Sequence, residues 1–403
     1  MSNWAELTTG KRIKHLRGCD LTQQGLADVA GVSLALVQKA EQDRGELSVG
    51  SLLKIAGALK TDVGVILGQQ APRRGMNRGD RASLRQLSDA VHESALGEWE
   101  GVDDPSTVGE LSKVRDLAWD AYWRSDTSKV SALAAQVLME GQVRYAGATG
   151  AERERLGLVL ASTYRVAASC ATGFGQRDLA LSALTSAKLL ARDAGDPMMT
   201  ALLESTLSWV YLRSAKTPRA VAVAERAALA IEPSFSKVNR PQLLAYGRLM
   251  ISAAVASSRR DDESAADDYI SQAHAAAARL GRDEALYGTH FGPTAAKAEA
   301  VGIHVALGNY GRALNLANQR DMTDLPKHMS KVARNRYKLD VALAQCASGL
   351  HDQAGNTLVE VGLDAPEWVK HQALPGVIGK RLAKVSTARV RTISELIGVP
   401  LIS

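Results

Sequence analysis

Residues 21–45 of the chain, LTQQGLADVAGVSLALVQKAEQDRG, constrain its fold more than any other stretch. Thr22 is a good helix N-cap, because its hydroxyl can accept hydrogen bonds from the first backbone N–H groups of a helix. Small and apolar side chains then recur at helical spacing as far as Ala30. Gly31 can adopt the positive φ that a sharp turn requires, and Ser33 can cap a second helix. The stretch therefore predicts two short helices joined by a tight turn.

The second of these helices has an apolar face and a polar face. Leu36, Val37 and Ala40 are predicted to pack inwards. The side chains predicted to face outwards are Leu34, Ala35, Gln38, Lys39 and Gln42. This arrangement is typical of a helix-turn-helix, whose second helix lies in the major groove of DNA with its N-terminal side chains against base edges. The residues predicted to contact DNA are Gln23, Gln24, Ser33, Leu34, Ala35, Gln38, Lys39 and Arg44.

The outward side chains suggest how bases would be recognised. Leu34 or Ala35 is expected to touch a thymine methyl group, with Gln38 or Lys39 on a purine edge. Contacts to phosphate are expected on either side of this helix, from Gln23 and Arg44.

The segment resembles the phage-repressor-like (Cro/C1, or XRE) DNA-binding domain over roughly residues 7–70. The shared positions are 21–24 (LTQQ), 26–27 (LA), 31–33 (GVS), Val37, Glu41, Ser48, 52–56, 58–59 and 63–68. The resemblance implies a DNA-binding domain of five helices. Asp43 stands where the family usually has Gly, and Leu47 where it usually has Pro. Leu34 and Ala35 replace polar residues, so hydrogen bonding to bases is expected to be weaker than is usual in the family.

Basic residues are concentrated near the N-terminus. Residues 1–81 contain 12 Lys and Arg against 8 Asp and Glu, and so supply +4 of the net charge of +6. A helix predicted over residues 7–17 turns Lys11, Arg12 and Lys14 outwards, where they either contact phosphate or are simply solvated. Residues 71–81, APRRGMNRGDR, are typical of a flexible basic linker. The predicted domains are therefore 1–70 and 82–403, joined by this linker.

Paired amphipathic helices are predicted from residue 107 to residue 385. An Ala-rich start marks the second helix of successive pairs, at Ala180, Ala220, Ala265, Ala313 and Ala354. Residues 308–314, GNYGRAL, resemble the tetratricopeptide-repeat pattern, although the spacing exceeds the standard period of about 34 residues. About six pairs would stack into a right-handed α-solenoid with a concave surface. The predicted fold is all-α, with a five-helix repressor-type domain followed by a tetratricopeptide-like solenoid.

A second resemblance rests on residues 290–294, HFGPT, together with the repeat unit that follows them. Over most of residues 80–385 the chain is similar to actinobacterial regulators that carry a repressor-type domain on a repeat-rich body. In that pattern an Asn commonly follows, whereas this chain has Ala295. The architecture is also similar to the peptide-sensing quorum regulators of Firmicutes, in which a tetratricopeptide body binds a signalling peptide. These resemblances imply a homodimer and a peptide ligand.

Several polar and aromatic residues are predicted to line the concave surface: Tyr164, Arg165, Trp209, Arg213, Tyr246, Lys297, Asn335 and Lys338. Trp209 and Arg213 are four residues apart and share a helix face. They could hold an apolar side chain and a carboxylate of a peptide. In the alternative interpretation, the aromatic residues fill the space between paired helices.

Signatures of catalysis are missing from the sequence, including the phosphate-binding, dinucleotide-binding, zinc-protease and serine-hydrolase motifs. We therefore expect no enzymatic activity and no cofactor. Cys19, Cys170 and Cys346 lie far apart, so neither a metal site nor a disulfide framework is predicted. The N-terminus has no apolar signal region, and the longest apolar run, at 156–171, contains Arg165. A cytoplasmic location without a membrane partner is expected.

These observations predict a transcription regulator, in the first instance a repressor. Its partners would be a double-stranded DNA operator of two-fold symmetry, a second copy of the chain, and a peptide or small molecule in the concave groove. Two alternatives remain open. In one, the groove binds a protein partner and no small signal exists; in the other, the chain is an interaction scaffold that no longer binds DNA.

Overall fold

The computed structural model describes residues 7–18, 21–44, 47–59, 61, 63–67, 78–97, 103–234, 239–319, 322, 325, 329–370, 372–385 and 390–397. This part of the chain is all-α apart from one two-stranded hairpin, as the helical periodicity predicts. Within the same residues, no helix is both long enough and apolar enough to cross a membrane.

Five short helices form the N-terminal bundle: α1 (Thr9–Arg17), α2 (Gln23–Ala30), α3 (Leu34–Glu41), α4 (Val49–Ala58) and α5 (Val63–Ile66). Each of the first four begins after a Thr or Ser whose hydroxyl accepts a hydrogen bond from the backbone N–H three residues on. Gly31 ends α2 with φ 62° and ψ 42°, the left-handed conformation expected for it. The fully buried side chains at the centre of the bundle are Ile13, Leu26, Val37, Ile55 and Ile66.

The rest of the described chain, the helical body, begins with α6 (Arg78–Leu96). The predicted linker is therefore shorter at its C-terminal end, because residues 78–81 are helical. The amphipathic pattern that buries Leu84, Leu87 and Val91 accounts for this, since it extends the helix back through Gly79. Residues 71–77 of the predicted linker lie outside the described residues.

Six helix pairs follow: α7 (Val108–Trp123) with α8 (Thr127–Gly147), α9 (Gly150–Gly173) with α10 (Arg177–Asp193), α11 (Pro197–Arg213) with α12 (Thr217–Ala230), α13 (Arg240–Ser258) with α14 (Glu263–Leu280), α15 (Pro293–Ala306) with α16 (Tyr310–Ala317), and α17 (Lys331–Ala347) with α18 (His351–Asp364). Three short helices come last: α19 (Pro366–Lys370), α20 (Ala373–Ala383) and α21 (Val390–Ile397).

One turn geometry joins the two helices of every pair. Two residues before the second helix, the backbone is left-handed, with φ between 57° and 80°, at Ser125, Gly175, Ala215, Asp261, Gly308 and Gly349. The N–H of the next residue donates to the carbonyl five residues earlier, at 2.8–3.2 Å, which closes the end of the first helix. The six turns thus share one backbone conformation, although Gly occupies only three of the six left-handed positions.

Four of the five Ala residues predicted to mark second helices lie at the fourth position of such a helix. Ala180, Ala220, Ala313 and Ala354 are all fully buried. The predicted marker Ala265 is wrong by one residue, because α14 begins at Glu263 and its fourth residue is the buried Ala266.

The helix pairs are arranged in two layers. The first helices stack in the order α7, α9, α11, α13, α15 and α17, and the second helices pack outside them. Helix α17 also packs against α7, so the row of first helices curves until its two ends meet. We call the face of these six helices that looks into the enclosed space the inner surface.

A β-hairpin between α14 and α15 interrupts the helical pattern. Its strands are β1 (Glu284–Leu286) and β2 (Thr289–Phe291), paired antiparallel with Glu284 opposite Phe291. Tyr287 and Gly288 form the turn, with φ values of 47° and 78°, as in the tight turns that suit two-residue hairpins. The sequence did not predict these strands, because three residues are too few to establish an alternating pattern.

Candidate DNA-binding site and inner surface

Glu41, the last residue of α3, holds the second helix of the helix-turn-helix against its neighbours. Its carboxylate accepts hydrogen bonds from Arg17 Nε at 2.6 Å and from Gln23 Nε2 at 2.7 Å. Burial by itself would raise the pKa of Glu41, but the bonds from Arg17 and Gln23 and the charge of Lys14 leave that pKa below its ordinary value. The ionised carboxylate therefore ties α1, α2 and α3 together at one point.

Asp43 has a role that explains its departure from the family pattern. Its φ is 54°, the conformation that Gly adopts most easily. Its carboxylate accepts hydrogen bonds from the backbone N–H of Gly10, at 2.9 Å, and from the hydroxyl of Thr8. The side chain thus caps the N-terminus of α1 from the far end of α3, which Gly could not do.

The outer face of α3 is open to solvent. Ala35, Gln38, Lys39 and Gln42 are exposed, and the side chains of Gln38 and Lys39 form no hydrogen bond or ion pair with another described residue. Leu34 differs from its predicted outward orientation, because it is half-buried and packs on the core of the bundle. At this first position of the helix, burying the leucine side chain against the core is more favourable than leaving it in water.

The other predicted DNA contacts have different surroundings. Gln23 is half-buried, and its amide is bonded to Glu41. Gln24 is exposed and donates to Asp28 at 2.7 Å. Ser33 caps α3 through the N–H of Leu36, at 3.2 Å. Arg44 is exposed directly beyond α3.

The cations of α1 are not all on the surface. Lys11 and Lys14 are exposed as predicted, but the prediction is wrong for Arg12, which is only 5% exposed. Its guanidinium donates to the carbonyl of Ile66 at 3.4 Å and so links α1 to α5. Burial lowers the pKa of Arg12, and the nearby charge of Asp43 opposes this effect. The α1 cations available to phosphate are thus the two lysines and not Arg12.

In the helical body, Arg165 of α9 fastens the hairpin to the inner surface. It is 4% exposed and lies over the ring of Trp119, 4.3 Å from the centroid. Its guanidinium donates to the hydroxyl of Thr289, at 2.9 Å, and to the carbonyl of Tyr287. Burial lowers the pKa of Arg165 to about 9.

The hairpin turn also reaches α7 and the start of α11. Trp123 Nε1 donates to the carbonyl of Gly288 at 2.9 Å, and the Tyr287 hydroxyl donates to Asp196 at 2.5 Å. Gly288 leaves no room for a Cβ, because the indole ring of Trp119 occupies that position. The hairpin therefore crosses the inner surface and connects helices that are far apart in sequence.

Tyr164 and Asn335 were predicted to line the groove but lie in the core, as does Tyr246. Tyr164 is 0% exposed, and its hydroxyl is bonded to Ser94 at 2.8 Å and to Gln142 at 3.2 Å. Asn335 is 1% exposed and donates to Asp364 at 2.8 Å. Each first helix packs against neighbours on several sides, so only a narrow face of it reaches the inner surface.

The remaining predicted groove residues do not form one group. Tyr246 is buried and donates to Gln272 at 2.6 Å, and Lys338 is bonded to Glu360 of the second-layer helix α18 at 2.6 Å. Trp209, Arg213 and Lys297 are half-buried. Of these three, Trp209 and Arg213 are neighbours on α11.

Sequence reasoning missed a set of charged residues on α13, α15 and α17 and at Arg259, directly after α13. Arg248 and Glu299 form an ion pair at 3.1 Å, and the charges of Arg259, Arg336 and Asp340 act on one another and on Glu299. Part of this set could have been recognised in the sequence. Arg248 is the only charged residue in 241–258, just as Arg165 is the only one in 156–173. A lone arginine in an otherwise uncharged helix indicates a specific electrostatic role.

Comparison with protein-family models gives a match for the N-terminal bundle. Residues 13–66 match the helix-turn-helix family model HTH_3, from Ile13 in α1 to the end of α5. Neither the curated proteins nor the solved structures include a match to the chain. Residues 13–66 thus form a helix-turn-helix domain of the XRE type, and this domain supports a DNA-binding transcription regulator as the class of protein.

Proposed function

We propose that the protein is a sequence-specific transcription regulator, acting as a repressor, whose helical body forms a homodimer and binds a signalling ligand, a peptide in the first instance. One observation carries the proposal. Helix α3 is held from behind by the bonds of Glu41, while its opposite face presents Gln38 and Lys39 without intramolecular partners among the described residues.

The exposed face of α3 has the chemistry that base recognition needs. The amide of Gln38 can donate to and accept from an adenine edge, and Lys39 can donate to the acceptors of guanine. Ala35 is small enough to allow close approach and can touch a thymine methyl group. Arg44 and the lysines of α1 would add phosphate contacts, which position the domain without specifying sequence.

The small size of the recognition surface supports dimerisation. Helix α3 has eight residues and presents only a few side chains to DNA. Two copies bound to half-sites one helical turn apart, about 34 Å, would combine their affinities. The body is the larger part of the chain and supplies the surface through which two copies would associate.

The inner surface supports the ligand-binding part of the proposal. It is enclosed by six helices and carries aromatic rings and charged groups from α7, α9, α13, α15 and α17. A ligand bound there would stabilise one curvature of the body and so shift the population between two arrangements of a dimer's DNA-binding domains.

The proposal is tested by selecting genomic fragments from the source organism with the purified full-length protein at two salt concentrations. Enriched sites with two-fold symmetry would support a dimeric regulator. Gln38→Ala and Lys39→Ala should each weaken binding to such a site by about 1–3 kcal/mol, whereas Arg177→Ala, on an exposed position of α10, should have no effect.

Two results would overturn parts of the proposal. Fragments lost evenly as salt increases would show binding to phosphates alone, and absence of any enrichment would favour the interaction scaffold. If light scattering gives the mass of a monomer at every protein concentration, with and without DNA, the dimer is excluded.

A further inference from the structure

Helix α4 contacts the helical body through the face that lies opposite the core of the N-terminal bundle. Its buried residues Leu52, Ile55 and Ala56 pack into the bundle. Gly50 and Gly57 are seven residues apart, and because a helix turns by about 100° per residue they share the opposite face of α4. Two turns of the body lie against these glycines.

The backbone of α4 comes close to both turns. A Cβ placed on Gly57 would lie only 2.9 Å from the Cβ of Ala215, in the turn between α11 and α12. A Cβ placed on Gly50 would lie 3.8 Å from Asp261 Oδ1 and 3.9 Å from the carbonyl oxygen of Arg259, at the turn between α13 and α14. The missing side chain at Gly57 therefore permits the approach, since any larger residue there would have to push the turn away.

The spacing of the two glycines matches the spacing of the two turns. Seven residues span about 10.5 Å along a helix axis, and packed helices lie about 8–10 Å apart. Helices α11 and α13, which end at these turns, are neighbours in the row of first helices. Helix α4 therefore lies across two adjacent repeats of the body.

The turn residues themselves fit this contact. Ala215 and Asp261 have left-handed backbones, with φ of 57° and 61°, where three of the six turns have Gly. A side chain is strained in that conformation, so its presence there needs a reason. The contact with α4 supplies one, because the Ala215 methyl group fills the space left at Gly57 and the Asp261 carboxylate reaches Gly50. Two of the three turns without Gly are thus the turns that α4 covers.

We propose that the N-terminal bundle docks on the helical body through Gly50 and Gly57 of α4, and that docking holds the bundle in the arrangement that binds DNA. The docked arrangement leaves Gln38 and Lys39 of α3 exposed. Because two adjacent repeats carry α4, a change in the curvature of the body would tilt or release the bundle. The role in DNA binding rests on the proposed function, whereas the docking itself does not.

A disulfide across the contact tests the docking in the full-length protein without DNA. Gly57→Cys combined with Ala215→Cys places two thiols side by side, and Gly50→Cys combined with Asp261→Cys does the same at the second turn. Oxidised glutathione serves as the oxidant and is reduced as each protein disulfide forms. The second pair keeps the test decisive if the first pair fails to fold.

The matched control is Gly57→Cys combined with Ser125→Cys. Ser125 has the same backbone conformation in the turn between α7 and α8, two helices further along the row. Every variant also carries Cys19→Ser, because Cys19 lies outside the described residues. The native Cys170 and Cys346 are buried and remain in place.

Both test pairs should lose their two thiols at least about tenfold faster than the control pair, because docking gives them a high effective concentration. Peptide mapping identifies the bond, and thermal unfolding of the reduced forms verifies that they are folded. Equal rates in the test and control pairs would show that the bundle moves freely relative to the body. That result would overturn the docking, as would the absence of both bonds in folded variants.

Operator binding tests the role of the docked arrangement. The oxidised Gly57→Cys and Ala215→Cys variant should bind within about twofold of its reduced form. Gly57→Leu, whose side chain overlaps Ala215, should bind about tenfold more weakly, because two undocked bundles lose their fixed spacing on DNA. Val29→Leu, at a 63% exposed position of α2, is the control and should bind as the wild type does.

Loss of operator binding on oxidation would show that the docked arrangement is inactive, and unchanged binding by a folded Gly57→Leu variant would show that docking is irrelevant to DNA. Either result would overturn the role assigned to the contact. Failure of the proposed function has a different signature. In that case neither the wild type nor any variant would bind a specific DNA fragment, whereas the disulfides would still form at the rates expected for a docked bundle.

Discussion

The guanidinium of Arg17 and the carboxylate of Glu41 form a hydrogen-bonded ion pair at 2.6 Å, with the Glu41 side chain 3% exposed. This pair joins the end of α1 to the end of α3, 24 residues further along the chain. It therefore contributes to how firmly α3 is held, although neither side chain belongs to the exposed face of that helix.

Glu41→Gln should loosen α3. The amide keeps the shape of the carboxylate but replaces charged hydrogen bonds by neutral ones and leaves Arg17 without its counter-ion. We expect a loss of about 1–3 kcal/mol in the stability of the bundle. Hydrogen exchange of the α3 amides measures this opening directly, and operator affinity should decrease with it. Glu154→Gln, at an exposed position of α9, is the matched control; equal protection of α3 in both variants would contradict the role assigned to the pair.

Tyr287→Phe should weaken the attachment of the hairpin to the inner surface. The substitution removes one hydrogen bond to the Asp196 carboxylate, at 2.5 Å, and should cost about 1–2 kcal/mol in the free energy of unfolding. Urea unfolding followed by tryptophan fluorescence reports on it, because Trp123 is bonded to the adjacent Gly288. Tyr310→Phe is the control, since the Tyr310 hydroxyl has no hydrogen-bond partner among the described residues. Equal midpoints for the two variants would show that the hairpin is held by packing alone.

Local signals explain why the N-terminal bundle could be predicted from the sequence. Thr22, Gly31 and Ser33 act through bonds to residues only three or four positions away, and such short-range chemistry can be recognised in a single sequence. The side chain of Asp43 acts on Gly10, 33 residues earlier, so no local pattern could reveal it. Arg12 was misplaced for the same reason, since its acceptor is 54 residues away.

In the helical body, too, some features could be predicted from the sequence and others could not. Helix pairing was predictable because Ala near the start of five of the six second helices is a recurring local feature. The inner surface was not, because apolar residues cover nearly the whole circumference of α9 and α13, and periodicity cannot then distinguish a core face from a groove face. Tyr164 was consequently expected in the groove, whereas it lies in the core with its hydroxyl bonded to Ser94.

The repeated turn makes a prediction about stability. Ser125 and Ala215 occupy left-handed positions where three equivalent turns have Gly, and a side chain there costs about 1–2 kcal/mol. Ser125→Gly should therefore stabilise the protein by about 1 kcal/mol, after allowing for the greater freedom of Gly in the unfolded chain. Gly349→Ala should destabilise it by a similar amount. No neighbour lies within 4 Å of a Cβ at Gly349, so this variant tests the backbone conformation alone. Thermal unfolding of both variants measures the effect, and changes of the same sign would refute the assignment.

Asp340→Asn should change how stability depends on pH. Burial raises the pKa of Asp340 from 3.8 to about 6, against the opposing charges of Arg336 and Arg259 and with a small contribution from Glu299. Between these two pKa values the folded protein retains a proton that the unfolded chain has lost. Acidification through this range therefore stabilises the folded state, and above pH 6 the cost of burying the charge is fully present.

The Asn variant carries no such charge, so it should be more stable than the wild type by about 1–2 kcal/mol at pH 8, and the difference should vanish towards pH 4. Thermal unfolding at several pH values checks this, with Asp352→Asn, exposed on α18, as the control. A variant less stable than the wild type at pH 8 would mean that Asp340 is a net stabilising counter-ion of Arg259 and Arg336.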